Sequence, residues 1–266
     1  VNSLLPGRAV ISITGADRLH FLEGLLSCHV EEIAPGEIRY GALLTPQGKI
    51  LTDMMVHGFE DRIALDVPAE AASDLVRRLT LYRLRAAVGI EATDEIVTVG
   101  TDGTPDPRGV ALGHRAIAPA GSAEVVPDIL AAYQSARIDA AIADAGVDFE
   151  LGDVFPHDIN MDVTGGVDFN KGCFVGQEVV SRMRHRGTAR RRTVIVEGER
   201  DLPAPGASLS VGGKDVGRLG TSVGPRGIAV LRIDRVADSA EIDGAPVSVR
   251  VAPGAPFALT GAEADA

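Results

Sequence analysis

The sequence predicts an α+β protein with a C-terminal β-barrel, and three observations predict it. Through about residue 150, short runs of alternating apolar residues trade places with segments whose apolar residues recur every three to four positions. Beyond Arg192 the helical spacing stops, and short apolar runs follow, punctuated by glycine and proline. The composition, 45% hydrophobic and 24% charged over 266 residues, is that of an ordinary soluble globular protein able to bury a large core.

Taken in order, Val10 to Thr14 alternates apolar and small polar residues and meets Gly15, which predicts a strand and turn. Leu19, Leu22, Leu25 and Leu26 then lie at helical spacing behind Asp17, a candidate N-cap. Cys28 follows on or beside that apolar face and reads as a core residue at the helix end. Ile38–Leu44 and Ile50–Val56 flank Pro46 and Gly48, the turn chemistry of a hairpin. Arg62–Val67 predicts a third strand. Pro68 introduces a helix through Leu75, Leu79 and Tyr82, and short strands follow at Val88–Ala92 and Ile96–Gly100.

Thr101–Gly109 is rich in Gly, Pro and Asp and reads as a surface loop. A helix is expected over Ile129–Ile138, with Pro127 in its first turn. Five strands are expected at 193–196, 207–211, 215–219, 227–231 and 247–251. The expected division is 1–186, an α+β region of two intertwined subdomains, and 187–266, the barrel. The small, acidic tail after Pro256 is expected to fray.

Composition also excludes functions. A net charge of −11 argues against coating nucleic acid with the whole surface, so any RNA contact must be a local patch. Tryptophan is absent, which removes the largest stacking platform. Two cysteines are too few for a disulfide framework. No apolar run approaches the roughly 20 residues of a membrane helix. With no secretory leader read either, the cytoplasm is the default expectation. No C-x-x-C, H-E-x-x-H, phosphate loop or G-x-S-x-G motif occurs, so no metal site is expected.

One segment carries more chemistry than any other. Phe169-Asn170-Lys171-Gly172-Cys173-Phe174-Val175-Gly176-Gln177-Glu178 sets a single thiol between two glycines, a cation and a Gln-Glu pair. Glycine permits the sharp bend, and a cation beside an exposed thiol favours thiolate. The same thiol packed inside would be an inert small hydrophobe. Only three lysines occur, Lys49, Lys171 and Lys214, and two of them sit in glycine-bearing motifs. Arg182, Arg184, Arg186, Arg190, Arg191 and Arg192 crowd the next residues. Alternation along Ser181–Arg186 would put three arginines on one face of an extended strand, either simply solvated or holding an anion.

The Lys171–Glu178 motif resembles the signature of the YgfZ-type folate-binding proteins, relatives of the glycine-cleavage T protein, an aminomethyltransferase. Further resemblances lie at Phe21–Leu26, Leu43–Leu51, Leu81–Arg85, Phe155–Asp162 and His185–Arg192. The resemblance implies a T-protein-like N-terminal part before the barrel, a bound tetrahydrofolate or derivative, and a role in making or maintaining iron–sulfur clusters. It also implies an A-type scaffold and client iron–sulfur enzymes as partners, including the one that methylthiolates tRNA, with tRNA itself met only indirectly.

By the same resemblance Cys173 and Lys171 are the chemically active pair, and Cys173 separates this branch from the T protein. Asp139, in Arg137-Ile138-Asp139-Ala140-Ala141, stands where the T protein's R-[IL]-E-A-G supplies a carboxylate to the pterin, one methylene shorter. Asp53, Gln177, Glu178 and Arg184 complete the expected folate-binding set. Two other functions stay open: a tetrahydrofolate-dependent aminomethyltransferase, and an RNA-binding protein that uses the arginine strand.

Overall fold

The computed structural model describes residues 1–261. The chain divides into two compact units, neither contiguous in sequence: 1–133 with 164–179, and 134–163 with 180–266. The division expected at 186/187 is contiguous, and it leaves 134–163 on the other side of the cut.

The first unit holds two antiparallel sheets. One joins β2 (Arg8–Thr14), β3 (Ile38–Leu44), β4 (Ile50–Gly58), β5 (Arg62–Pro68) and β6 (Gly89–Ala92) in the order β3-β4-β5-β2-β6. The other orders β1 (Asn2–Leu4), β7 (Ile96–Gly100), β9 (His114–Ala118) and β8 (Thr104–Pro105) as β1-β7-β9-β8. β2 lies between β5 and β6 with Val10, Ile11 and Ile13 all at 0% exposure, so it reads as a continuous buried run. α1 (Arg18–Glu23) and α2 (Ala72–Arg83) add Leu22, Leu75 and Leu79 to a core that includes Leu26, Leu43, Met54 and Leu65.

Two further helices, α3 (Pro127–Asp139) and α4 (Gln177–Arg186), follow. The second unit is built on β10 (Arg191–Gly198), β11 (Ser208–Val211), β12 (Lys214–Val223), β13 (Arg226–Arg232), β14 (Ser239–Ile242) and β15 (Ala245–Arg250). These close as β10-β13-β12-β11-β14-β15, which leaves no free sheet edge. Val194, Val196, Leu209, Leu219, Leu231 and Ile242 point into the barrel core. The expected α+β part with a C-terminal barrel is therefore the observed fold.

Four expectations are corrected. Ser181–Arg186 is not a strand but the second half of α4. Gly187 stops that helix at φ +59: its N–H donates to Arg184 O and the Thr188 N–H to Met183 O, a Schellman pair. Successive arginines two apart therefore do not share a face. α1 ends at Glu23, so Leu25 and Leu26 turn into the core beyond the helix. The loop at 101–109 is not all surface, because Asp106 and Arg108 bond each other while buried. Residues 257–261 are also held, with Phe257 and Leu259 against the barrel core and Thr260 and Gly261 bonded to Ile233 and Val236. Residues 262–266 of the tail lie outside the described residues. β1, β8, β9 and β14 were not anticipated; all are short or flanked by polar turns.

Candidate functional site

The cysteine-bearing loop is fixed at both ends. At its start the Lys171 side chain is fully buried, and its ammonium donates to the carbonyls of Glu23, Leu26 and Cys28 at 2.8, 2.8 and 2.7 Å. These lie at and just past the C-terminus of α1, where carbonyls lack helical partners and a cation is favoured. The Glu23 carboxylate stands 3.3 Å from the same ammonium. It also accepts from the N–H groups of Val30 and Glu31 and pairs with His29.

Burial resists ionisation of Glu23, but the Val30 N–H, His29 and Lys171 outweigh it and hold the carboxyl down at about 2. Burial also pulls the Lys171 ammonium below its usual range, with Glu23 opposing. Phe174 covers the ammonium at 5.4 Å from its ring centroid.

At the loop's end, Gly176 (φ +81) lies against the β3–β4 hairpin turn. A Cβ there would stand 2.5 Å from Thr45 O and 3.2 Å from Gly48 Cα. Gly48 (φ +82) returns the contact, with Val179 3.1 Å from its own missing Cβ. Only glycines allow this approach. Gly172, by contrast, has open space and no positive φ. Of the two glycines beside the cysteine, only the later one is demanded by geometry.

Between these anchors Cys173 is exposed. Cys28 is buried as expected; burial pushes its thiol up to about 12, and its sulfur fills the place a side chain at Gly41 would take.

Of the other nominated residues, Asp53 is buried on β4 and its carboxylate accepts from the Tyr40 hydroxyl at 3.3 Å. Gln177 and Glu178 open α4, where the Gln177 N–H donates to Phe174 O. Asp139 and Arg184 belong to the second unit, the other nominated residues to the first. Asp139 is exposed at the end of α3 and ion-paired with Arg226 of β13. Asp53 is thus a buried carboxylate already accepting from Tyr40, and Asp139 an exposed one ion-paired with Arg226.

The arginine run divides as well. Arg191 binds Asp153 and Asp158, and Arg192 binds Asp162 and the His157 carbonyl, so both hold the second unit together. An open cavity of about 810 Å³ in that unit, between 146–154 and β12–β13, is lined by Arg191 but by none of the expected active or folate-binding residues.

Sequence reasoning missed Glu23 and Asp66. Asp66 is fully buried on β5 between Arg8 (2.6 Å) and Arg115 (2.9 Å). Burial opposes its charge, but the two guanidiniums hold its carboxyl far below the usual carboxylate range. A carboxylate inside an apolar strand was the available signal.

Fold and site together define an aminomethyltransferase-type fold that presents an exposed cysteine and ends in a closed six-stranded barrel. The crystal structure of glycine cleavage system aminomethyltransferase T from Bartonella henselae matches at TM-score 0.75 over 94% of this chain and 84% of that one, at 18% identity, a likeness of fold alone. Residues 190–257 match the CAF17 C-terminal β-barrel domain.

The chain as a whole is similar to iron–sulfur cluster assembly factors IBA57. It is 30% identical over 225 residues to the mitochondrial homologue of Mycosarcoma maydis, covering 71% of this chain and 55% of that protein. It is 26% identical over 304 residues to the mitochondrial protein of Homo sapiens, covering 98% and 83%. The chain thus spans little more than half the length of the Mycosarcoma maydis relative and, at 55%, of the Pyricularia oryzae one. These relatives carry the IBA57 name, not the YgfZ name that the motifs resembled. They are also named as mitochondrial, which overturns the expected cytoplasmic setting. That expectation rested on reading no leader or membrane run in the sequence, which does not distinguish compartments.

Proposed function

We propose that this protein is a folate-binding accessory factor of iron–sulfur cluster assembly in which Cys173 meets a cluster or a partner's thiols. The observation that carries the reading is the exposed sulfur held between two rigid anchors, Lys171 and Gly176. Similarity to assembly factors supports it.

A cluster normally takes four protein ligands. Among the described residues no three His, Cys, Asp or Glu side chains stand together to hold a metal. An A-type scaffold or small thiols would therefore complete any shared site. Client iron–sulfur enzymes, including the one that methylthiolates tRNA, would be served downstream, and tRNA would be reached only through them. Lys171 acts here as a positioning residue for the loop. Folate binding is the second part of the proposal, with Asp53 as the buried acceptor.

Two measurements test the two parts separately. In a strain lacking the gene, Cys173→Ser should fail to restore iron–sulfur enzyme activities and tRNA methylthiolation; full restoration removes Cys173 from the reading. Titration with tetrahydrofolate should saturate, and Asp53→Ala should weaken it at least tenfold. No saturable binding removes folate and leaves the cluster role standing.

A further inference from the structure

The C-terminal end of α2 faces outward in an unusual way. Leu75 and Leu79 on this helix are fully buried. Leu81 lies two residues past Leu79, on the opposite face of the helix, and is 65% exposed. Tyr82 is 38% exposed, and Leu84, just past the helix, is 87% exposed. Leu84 also has φ +47 and ψ −104, and the Ala86 N–H closes the turn onto Arg83 O at 2.8 Å. That is the first central position of a II′-type turn, a place dominated by glycine. A leucine there is both strained and exposed.

Charge selects what covers this knob. Arg77 and Arg78 are both bound by Asp74. The side chains of Arg83 and Arg85, both exposed, make no hydrogen bond or ion pair among the described residues. On a chain of net charge −11, these two free guanidiniums flanking apolar side chains form a local positive patch. Tyrosine and arginine beside apolar anchors are the composition of an interface core.

We infer that Leu81, Tyr82, Arg83, Leu84 and Arg85 form a docking surface for an acidic amphipathic helix of a partner protein. Its apolar stripe covers Leu81, Tyr82 and Leu84, and its carboxylates meet Arg83 and Arg85.

The probe is a fluorescein-labelled helical peptide with one leucine stripe flanked by glutamates, titrated with the full chain by anisotropy at low and high salt. Controls are its scrambled version and a lysine-for-glutamate version. The acidic amphipathic peptide should bind, weakening with salt, and the two controls should bind at least tenfold more weakly. Arg83→Glu with Arg85→Glu should lose at least tenfold in affinity with Tm unchanged. Leu84→Gly should weaken binding while raising Tm by about 2–4 °C, because glycine relieves the turn. The inference is overturned by equal binding to the double variant, or by no binding to the native chain at millimolar peptide. It is likewise overturned if Leu84→Gly lowers Tm, or if the native chain self-associates through this patch and a second copy proves to be the occupant.

Discussion

Replacing Lys171 by methionine separates a structural lysine from a catalytic one. Methionine keeps most of the buried stem, so little cavity opens. What disappears is an ammonium that serves three carbonyls and the Glu23 carboxylate. Breaking a buried pair from one side costs about 3–5 kcal/mol, because the remaining charge and acceptors stay desolvated. Burial already draws the Lys171 pKa down, which offsets part of the gain, so the lower end, about 3 kcal/mol, is expected. For a chain of this size that is about 6–12 °C in Tm.

Far-UV circular dichroism during urea unfolding is the assay, since the chain has no tryptophan to report by fluorescence. Cys173→Ser, exposed, should change stability by less than about 0.5 kcal/mol under the same conditions. If Lys171→Met were as stable as the native chain yet failed to support iron–sulfur enzymes, the anchoring argument would be wrong and Lys171 would return to chemistry at the sulfur.

The two glycines of the signature should behave oppositely. Gly176→Ala, at φ +81 with Thr45 O 2.5 Å from the new Cβ, should destabilise by about 2 kcal/mol or more, whereas Gly172→Ala should be nearly neutral; equal losses in a urea titration would contradict this. Glu23 has a folded pKa of about 2, depressed from 4.5, so its contribution is complete above pH 4.5 and fades as pH falls toward 2. The shift corresponds to at most about 3 kcal/mol, reduced to about 1–2 by solvent screening. Glu23→Gln should flatten acid unfolding in that window, and an unchanged acid profile would refute the assignment. Asp66→Asn should cost about 3 kcal/mol, the lower end for a buried pair, because Arg8 loses its carboxylate while Arg115 keeps Asp106 at 3.6 Å, read as a lower urea midpoint. Finally, a thiol reagent should modify one cysteine in the native chain and two after denaturation, because only Cys173 is exposed.

Local pattern determined a good deal here by itself. The β3–β4 hairpin was readable because Pro46 and Gly48 sit between apolar runs, and turn chemistry is a short-range property. The barrel was readable because five of its strands are short, β-rich and glycine-punctuated. Cys28 was readable as core from its place behind a leucine face, and the Lys171–Glu178 segment marked the loop whose thiol is exposed. The arginine run was misread although the stop signal was present: Gly187 follows a basic last turn, which is how helices end. Alternation looked like a strand only because arginine fits either backbone.

Only the tertiary structure decided where the lysine's charge goes. The three carbonyls it meets come from residues more than 140 positions away, and no local pattern encodes that separation. The same holds for Gly176 against Thr45, for Asp66 between Arg8 and Arg115, and for Asp139 against Arg226. Residue types bound which bonds a side chain makes; long-range chain closure selects the partners, and those partners decide whether a charge activates a sulfur or holds a loop in place.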